Sequence, residues 1–540
     1  MKPFDEKGAF RPVQQGDELR RLAVRGAGVT VLSQGLAIVI QMVATVVLAR
    51  LLAPSDFGVV TMVTTFSLLL GSFGLNGFTE GVLQRDEIDD SLVSNLFWIN
   101  IGVGILFSIG FAAAGSVLAR FYGNPHVAHV ALGISPTIFL MSTSVLHLAL
   151  LKRAMCFSLV SAFDLCGRFI SVGVSILLGY AGWGYWALVV GAIALPLTVA
   201  IGAWTQCRWI PSLPGRTAGT GSMVRFAINT YARYTLNYFT RNIDNLLVGW
   251  RFNAQALGFY KKAYDLFALS ASQLLSPVAP VAIATLSRFH RDPIQYRRYF
   301  LGGFSILAFI GMWASADLTL IGKDLIRLLL GPAWGEAGRV FTFFGPGIGP
   351  MLLYNAHGFI HLSIGRADRG FRWGLVEFTV TSLLFLLGLR WGPAGVAAAW
   401  TASFWILAIP AFWYAGRPIQ FGVGPLVASV WKYLLAALLA GGVSAGVIRE
   451  IPSLVTASGS AGAAARIAMI SLLSGILYLA AVILLHGGYA PIRQITRLLP
   501  DMVPGDRFPS WFRAVVATDE TSARASITLT AEENPASRGR

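Results

Sequence analysis

Long apolar runs alternate with short polar segments along most of the chain. Each run holds about 20 residues, enough to cross roughly 30 Å of hydrocarbon as an α-helix, and the pattern predicts an all-α polytopic membrane protein with about fourteen spans. A membrane β-barrel is not favoured, because its strands alternate polar and apolar residues in segments of about ten. The predicted spans cover residues 27–49, 57–79, 91–117, 127–150, 159–181, 183–205, 226–249, 258–287, 299–321, 336–364, 371–390, 394–415, 427–448 and 464–486.

Short motifs recur in the same order in two parts of the chain. RLLAPSDFG from Arg50 is echoed by RFNAQALG from Arg251, an offset of 201 residues. Three more pairs follow: RFYGNP at 120 with RLLLGP at 327, GISP at 133 with GIGP at 347, and LLGYAGWG at 177 with LLGLRWG at 386. The order predicts two six-helix halves related by a pseudo-two-fold axis along the membrane normal, followed by two further helices.

The repeat and the spans together predict the domain organisation. The tail after Pro509 is rich in Arg, Ser, Thr and Glu, a composition typical of disorder. The predicted units are a cytoplasmic segment (1–26), a first six-helix half (27–205), a cytoplasmic linker (206–225), a second six-helix half (226–415), two additional transmembrane helices (427–486) and a basic, largely disordered cytoplasmic tail (487–540).

Composition and charge agree with a membrane protein. The chain is 55% hydrophobic and only 13% charged, whereas soluble proteins carry about 25% charged residues. Its net charge of +16 is explained by the positive-inside rule and by anionic membrane lipid, not by nucleic acid. With both termini in the cytoplasm, 28 of the 42 Lys and Arg residues lie inside and 11 outside. The first 25 residues contain no apolar core, so we expect no cleavable signal peptide.

Three stretches resemble a known family. They are ARLLAPSDFGVV (Ala49–Val60), LLGYAGWGYWALVVG from Leu177, and RNIDNLLVGWRFNAQALGFYKKAYDL (Arg241–Leu266). They are similar to the polysaccharide-biosynthesis flippases, the O-antigen and exopolysaccharide lipid-carrier transporters of the multidrug/oligosaccharidyl-lipid/polysaccharide exporter superfamily. The resemblance covers about residues 24–486. It implies alternating access in a bacterial cytoplasmic (inner) membrane, with a polyprenyl-pyrophosphate-linked oligosaccharide as cargo and polysaccharide polymerase and export proteins as partners.

Charged residues inside predicted spans need an explanation, because each costs about 2.5–3.5 kcal/mol on insertion scales. A cationic cleft built from Arg168, Arg233 and Arg241 would hold a pyrophosphate, since the planar guanidinium matches phosphate oxygens and stays protonated. The alternative is neutralisation within a helix. Asp164 with Arg168, and Arg241 with Asp244, have the spacing of helix neighbours. Arg233 has no acid within four residues, which makes it the strongest candidate for facing a cavity.

The span-seven sequence NTYARYTLNYFTRN is unusually polar for a membrane helix. Residues 230, 234, 237, 241 and 244 share one helical stripe. Amide and aromatic side chains of this kind suit sugar hydroxyls and sugar rings, and helix–helix contact is the alternative. The predicted polar and aromatic cavity residues are Asn229, Tyr234, Asn237, Tyr238, Asp244 and Asp164, with Tyr231 beside them.

Prolines and glycines inside spans predict hinges, because each proline removes a backbone donor and kinks a helix. A static kink is the alternative for any single one. The predicted hinge residues are Pro136, Pro277, Pro280, Pro346, Gly347 and Pro350. His357 and His361 are four apart, but further ligands are lacking, so packing or cavity lining is favoured over a metal site. The three cysteines lack disulfide or metal spacing, and no nucleotide site is visible, so we expect neither metal nor cofactor.

These features favour a flippase that is not an enzyme. Three rivals stay open: a multidrug–cation antiporter of the same superfamily, a membrane glycan polymerase, ligase or glycosyltransferase, and a structural scaffold. An antiporter would be expected to carry acids in its first half, yet residues 27–49 hold none. A polymerase or ligase would be expected to have a long external loop, whereas every predicted external connection is short. The sugars and the coupling ion are not indicated.

Overall fold

The computed structural model of the chain describes residues 3–10, 17–75, 77–215, 219–450 and 459–489, together with residues 491 and 493. Over these residues the chain forms seventeen α-helices and no strand, with two isolated bridges near the amino terminus. Ten helical stretches are long and apolar enough to cross a membrane, or eleven when the bent α9 is counted. The all-α, multi-pass class predicted from the sequence is therefore confirmed.

The helices follow the predicted spans closely, and most begin or end within a few residues of the expected bounds. They are α1 (Asp17–Leu51), α2 (Pro54–Gly71), α3 (Phe78–Gln84), α4 (Asp90–Tyr122), α5 (His126–Arg153), α6 (Phe157–Tyr180), α7 (Tyr185–Gln206), α8 (Thr220–Arg251), α9 (Ala254–Arg288), α10 (Pro293–Leu330), α11 (Gly335–Phe344), α12 (Ile348–Asn355), α13 (His357–Ser363), α14 (Ala367–Gly388), α15 (Gly392–Gly416), α16 (Gly424–Arg449) and α17 (Gly459–His486).

Two predicted spans are interrupted. The second was expected to run through residue 79, but α2 ends at Gly71 and a turn leads into the separate α3. A side chain at Gly74 in that turn would run into the amide of Asn100, so the glycine allows the turn to pack against α4. The tenth span is divided into α11, α12 and α13, with a 3-10 turn at Gly345–Gly347. Clustered glycines mark the first break, and Pro346 and Pro350 with their neighbouring glycines mark the second.

The α1–α2 turn contains the first repeated motif, RLLAPSDFG from Arg50, and explains why it holds these residues. Pro54 occupies the first turn of α2, where its missing N–H is tolerated. The carboxylate of Asp56 accepts the backbone N–H of Ala53 at 3.0 Å. The same turn is tied to the end of α10 and to the 3-10 turn that precedes α11. Arg50 donates to the Leu328 carbonyl oxygen at 2.7 Å, and the Trp334 indole donates to the Ala49 carbonyl oxygen at 2.7 Å.

The two copies of the first repeated motif, RLLAPSDFG and RFNAQALG, touch each other where α2 crosses α9. A Cβ added at Gly58 would lie 2.9 Å from Cα of Ala254 and closer still to its carbonyl oxygen. A Cβ added at Gly258 would lie 2.8 Å from the carbonyl carbon of Pro54, again with the oxygen closer. Each motif glycine therefore accommodates the backbone of the other motif, a reciprocal approach that only glycine permits.

The last two helices are attached to the bundle through α10. Asp324 on α10 accepts two hydrogen bonds from Arg466 on α17, at 2.6 and 2.9 Å. Asp317, which is buried, accepts from the hydroxyls of Ser471 and Ser474 at 2.9 Å each. A separate hydrophobic core joins α10, α13, the end of α15, α16 and α17.

The linker before α8 is bound to the first half over its described part. Asn95 on α4 donates to the Gly215 carbonyl oxygen at 2.8 Å and accepts the Gly215 N–H at 2.9 Å. Trp98 donates to the Ser212 carbonyl oxygen at 2.8 Å. Residues 1–2, 11–16 and 216–218 and nearly all of the predicted tail 487–540 lie outside the described residues.

Residues 3–10 form a small cap on the same end of the first half. Backbone bonds join Gly8 to Asp90 and Phe10 to Ile88. Arg153, at the end of α5, donates to the carbonyl oxygens of Val82, Arg85 and Asp86, and its guanidinium lies 5.2 Å from the Phe10 ring centroid. Part of the segment predicted as a polar amino-terminal extension is therefore packed.

Candidate functional site: a cationic face on helix 8

Helix α8 carries polar side chains along a face that stays accessible. Asn229, Arg233 and Asn237 lie one turn apart and are exposed, and Arg241, one turn further, is half-buried. The neighbouring positions 230 and 234 are half-buried, and Asp244 at the end of the stripe is fully buried. The predicted stripe is thus half-buried at residues 230 and 234, exposed at Asn237, half-buried at Arg241 and sealed at Asp244.

The guanidinium groups of Arg233 and Arg241 have no carboxylate within 4 Å among the described residues. Arg241 Nη2 donates to Asn355 Oδ1 at 3.3 Å, which connects α8 to the end of α12. The Arg233 guanidinium lies 5.9 Å from the ring centroid of Phe371 on α14. Two cations therefore lie two turns apart on one face, with hydrogen-bond donors left for an anion.

Asp244 does not neutralise Arg241, although the helix spacing allowed that pair. Its carboxylate is 0% exposed and accepts from the Tyr260 hydroxyl at 2.7 Å and from the Trp400 indole at 2.8 Å. The backbone N–H of Asn245 adds a third bond at 2.8 Å. Asp244 therefore joins α8 to α9 and α15 and does not line an open cavity in this conformation.

The other predicted ion pair is formed. Arg168 Nε lies 2.8 Å from Asp164 Oδ2 on α6, and both side chains are partly exposed. Helix α6 packs on α1 and α7 of the first half. Arg168 thus differs from Arg233 and Arg241 in having a carboxylate partner.

The tyrosines of α8 form a column that contacts α2. The Tyr231 hydroxyl donates to the Leu69 carbonyl oxygen and the Tyr238 hydroxyl to the Thr65 carbonyl oxygen, each at 2.8 Å. Tyr234 lies between them, with ring centroids 6.3 Å from Tyr231 and 6.0 Å from Tyr238. The outer two tyrosines therefore fix α8 against α2, and Tyr234 presents its ring beside the cationic face.

Two histidines extend this region beyond what the sequence indicated. His357 Nδ1 lies 2.5 Å from the Tyr354 carbonyl oxygen, and its ring centroid lies 5.8 Å from that of His361. His361 is 2% exposed. Among the described residues, no group of three His, Cys, Asp or Glu side chains is arranged for a metal ion. Their spacing of four was visible in the sequence, but their proximity to Arg241 depends on how α12 and α13 pack.

Some of the predicted hinge residues lie where a helix bends or breaks, and others lie inside a continuous helix. α9 bends by 42° between Ser276 and Val278, and the 3-10 turn at Gly345–Gly347 divides the tenth span. Pro136 lies inside the continuous α5 and Pro350 inside α12, where side chains satisfy the carbonyls that each proline frees. Ser135 donates to the Leu132 carbonyl oxygen at 2.9 Å and Trp405 to that of Pro346 at 3.3 Å. Pro280 lies within the second segment of α9.

A groove of about 1440 Å³ opens beside the bend of α9. Its lining is mostly apolar and comes from α9, α10 and α13, together with several polar side chains. None of the three predicted substrate-binding arginines lines it. The apolar lining includes Val278, Val281, Phe300, Leu307 and Phe359, and the polar lining includes Arg298, Tyr299, Tyr489 and Arg493.

Solved structures share this fold. The lipid II flippase MurJ in an inward closed conformation superposes with a TM-score of 0.67 at 13% identity, over 84% of this chain and 98% of that chain. An inward-facing multidrug resistance MATE family transporter of the MOP superfamily superposes with a TM-score of 0.59 at 11% identity, over 71% of this chain and 94% of that chain. At these identities the likeness establishes the fold alone.

Sequence relatives are named for polysaccharide synthesis. The teichuronic acid biosynthesis protein TuaB of Bacillus subtilis is 23% identical over 69% of this chain and 77% of its own length. The lipopolysaccharide biosynthesis protein WzxC of Escherichia coli is 20% identical over 78% of this chain and 85% of its own length. The family model described as "Polysaccharide biosynthesis protein" matches residues 47–339, more than half of the 540 residues. The resemblance seen in the sequence is therefore confirmed, and the chain belongs to the polysaccharide biosynthesis protein family.

Proposed function

We propose that the protein is a flippase that moves polyprenyl-pyrophosphate-linked oligosaccharide across the bacterial inner membrane by alternating access, for surface or exopolysaccharide synthesis. The observation that carries the proposal is the pair Arg233 and Arg241, two accessible membrane guanidinium groups with no carboxylate partner among the described residues. An unpaired membrane charge is costly and is found mainly where it serves a substrate path. A diphosphate supplies the missing negative charge.

The geometry of α8 suits a diphosphate attached to sugars. Positions 233 and 241 are eight residues apart, about 12 Å along a helix, so each guanidinium meets a different part of a glycan headgroup. Asn237, between the two arginines, and Asn229, one turn before Arg233, supply amide donors and acceptors. Tyr234 supplies an aromatic face. The groove beside α9 has a mostly apolar lining that includes Arg298 and Arg493, which suits a prenyl chain near its phosphate end.

The names of the relatives support a glycan over a drug as cargo. TuaB and WzxC are named for teichuronic acid and lipopolysaccharide biosynthesis, and ExoT of Rhizobium meliloti is named as a succinoglycan biosynthesis transport protein. A transporter needs no catalytic group. The connections between consecutive described helices are also short, without the extended loop expected of a membrane polymerase or ligase.

We further propose fourteen spans in two halves, with both termini in the cytoplasm. Counting α9 as one span and α14 and α15 as two gives twelve; α8 and the broken α11–α13 segment complete the fourteen. Polar residues and interruptions, expected where helices line a substrate path, explain why hydropathy misses these last two. The reciprocal Gly58–Gly258 crossing supports a two-fold relation between the halves. This orientation places that crossing on the external side.

The proposal is tested by replacing the arginines in a strain that lacks the wild-type gene. Arg233→Ala and Arg241→Ala should each abolish export of surface glycan and trap polyprenyl-linked oligosaccharide on the inner leaflet, with normal protein in the membrane. Lysine at either position should restore part of the export, because an ammonium lacks the planar fork.

Arg225→Ala is the matched control, since Arg225 is exposed on the same helix two turns earlier. It should export normally. Arg168→Ala, which removes a guanidinium already paired with Asp164, should have a smaller effect than the α8 variants. Unaltered glycan export in the Arg233→Ala, Arg241→Ala double variant would contradict the cationic-site proposal.

A further inference from the structure

His361 is a buried group whose hydrogen bonds are not made by its neighbours. It is 2% exposed, and neither ring nitrogen has a hydrogen-bond partner among the described residues. A neutral imidazole has one N–H donor and one acceptor nitrogen, and buried polar groups of native proteins are nearly always paired. This side chain therefore has an unused capacity to bind or pass a proton.

The neighbouring His357 has a defined place for an added proton. Its Nδ1 faces the Tyr354 carbonyl oxygen at 2.5 Å. A carbonyl oxygen only accepts, so Nδ1 carries the hydrogen and Nε2 keeps a lone pair. The two histidine rings are nearly perpendicular, with centroids 5.8 Å apart. A proton added to this pair therefore goes to Nε2 of His357 or to His361.

The pair lies beside the proposed anion site. Asn355, two residues before His357, accepts the hydrogen bond from Arg241. The positive charge of Arg241 acts directly on both His357 and Tyr354. An anion bound to Arg241 would reverse the local sign of charge that His357 experiences.

The other elements around α13 contribute few charges. On α14, the charges of Asp368 and Arg369 act on His361 with opposite signs. Arg372 is exposed, and the charge of Glu377 acts on the hydroxyl of Tyr354. On α15, Tyr414 lies 5.9 Å from His361 by ring centroids, and its ring and carbonyl oxygen hold Arg369. Helix α9 has no titratable residue from 266 to 287. Helix α10 contributes Tyr296, which is bonded to Ser363, and it also contributes Arg298 and Tyr299 to the groove that α13 lines. Arg241 is therefore the charged side chain whose compensation acts on His357, and His361 is affected through His357.

We propose that His357 and His361 form a proton site linked to anion binding at Arg241, an inference that rests on the proposed function. When the diphosphate oxygens lie against Arg241, a proton from cytoplasmic water passes by way of His361 and adds to Nε2 of His357. When the diphosphate leaves, the same N–H bond breaks and the proton returns to water. Linkage is reciprocal, so a protonated pair also strengthens anion binding.

The test measures protons taken up per ligand bound. Farnesyl pyrophosphate, a short prenyl diphosphate, is titrated calorimetrically into the purified full-length protein at pH 7 in buffers of different ionisation enthalpy. The dependence of heat on buffer gives the net proton count. Wild type should take up more protons than His357→Gln, by up to about one proton per ligand, because Nε2 of His357 is a single acceptor nitrogen. The difference between proteins cancels the ionisation of the ligand itself.

His361→Gln should reduce the uptake as well, and His290→Gln is the matched control, because His290 is exposed and bonds only locally to the Ser287 carbonyl oxygen. His357→Asn provides a second variant should glutamine impair folding. Binding with equal proton counts in wild type and the histidine variants would overturn the inference and leave the proposed function standing. Absence of binding, with wild type matching Arg241→Ala, would instead overturn the proposed cationic site.

Discussion

The crossing of α2 and α9 offers a sharp perturbation, Gly58→Ala. The new Cβ would lie 2.9 Å from Cα of Ala254 and closer still to its carbonyl oxygen, which is below the spacing that real Cβ atoms adopt. The obstacle is backbone, so no rotamer change relieves it. The two helices must separate by roughly 1 Å or more, and such overpacking costs about 1–3 kcal/mol.

That cost falls on the conformation in which α2 and α9 touch. A shift of about 1–3 kcal/mol changes a conformational equilibrium by roughly 5- to 150-fold. In the proposed orientation the crossing closes the external side, so Gly58→Ala should favour external opening. The assay is labelling by a membrane-impermeant maleimide of a cysteine at Ala263, a fully buried position on α9, with the three native cysteines replaced.

Labelling should accelerate at least about 5-fold in Gly58→Ala, the lower end of the conformational shift. Gly110→Ala is the matched control, because Gly110 lies on α4 with open space where a Cβ would go. It should leave the labelling rate unchanged. An equal rate in Gly58→Ala and Gly110→Ala would refute the claim that this crossing closes the external side.

Two further predictions follow from contacts at the other end of the bundle. Tyr238→Phe removes the hydroxyl that donates to the Thr65 carbonyl oxygen and should weaken the α2–α8 contact by about 1 kcal/mol. A cysteine placed at Thr65 should then be labelled faster from the cytoplasmic side. Tyr234→Phe, at the middle tyrosine of the column, is the control and should not change that labelling rate. Arg153→Ala removes three hydrogen bonds to backbone carbonyl oxygens next to the amino-terminal cap and should lower the free energy of unfolding by about 1.5–3 kcal/mol. An unchanged thermal unfolding midpoint in detergent would contradict the claim that Arg153 stabilises this end of the bundle.

The helices could be predicted from the sequence because apolar length is a local property. The bounds of α4 to α7 and α14 to α17 lie within five residues of the predicted spans, and element boundaries are the least reliable part of a single-sequence prediction. At residues 345–350 the clustered Gly and Pro indicated a hinge but not its form, whereas the end of α2 at Gly71 was not predicted, because the span was expected to continue through residue 79. The number of residues between two helices does not determine how their ends pack.

The site was only partly predictable, because partners come from distant parts of the chain. The Asp164–Arg168 pair lies within one helix and was anticipated. Asp244 pairs with Tyr260 and Trp400, and the second of these is 156 residues away. Because Asp244 does not pair with Arg241, the Arg241 guanidinium donates a hydrogen bond to Asn355 instead. The helix spacing alone did not indicate this partner.

The histidine pair illustrates the same limit. The four-residue spacing of His357 and His361 placed them on one face, and the sequence favoured packing or cavity lining. Their position beside Arg241 results from the turn at Gly345–Gly347, which sets α12 and α13 against α9, α14 and α15. No local pattern in the sequence specifies that packing.

Flipping in a purified system tests the central claim most directly. Lipid-linked oligosaccharide that accumulates in the deletion strain is placed in the inner leaflet of vesicles containing the protein, and the arrival of its sugars outside is followed by impermeant periodate. Wild type should expose the glycan, whereas the Arg233→Ala, Arg241→Ala double variant should leave it protected like protein-free vesicles. Exposure at the wild-type rate by the double variant, or protection of the glycan by wild type, would contradict the account.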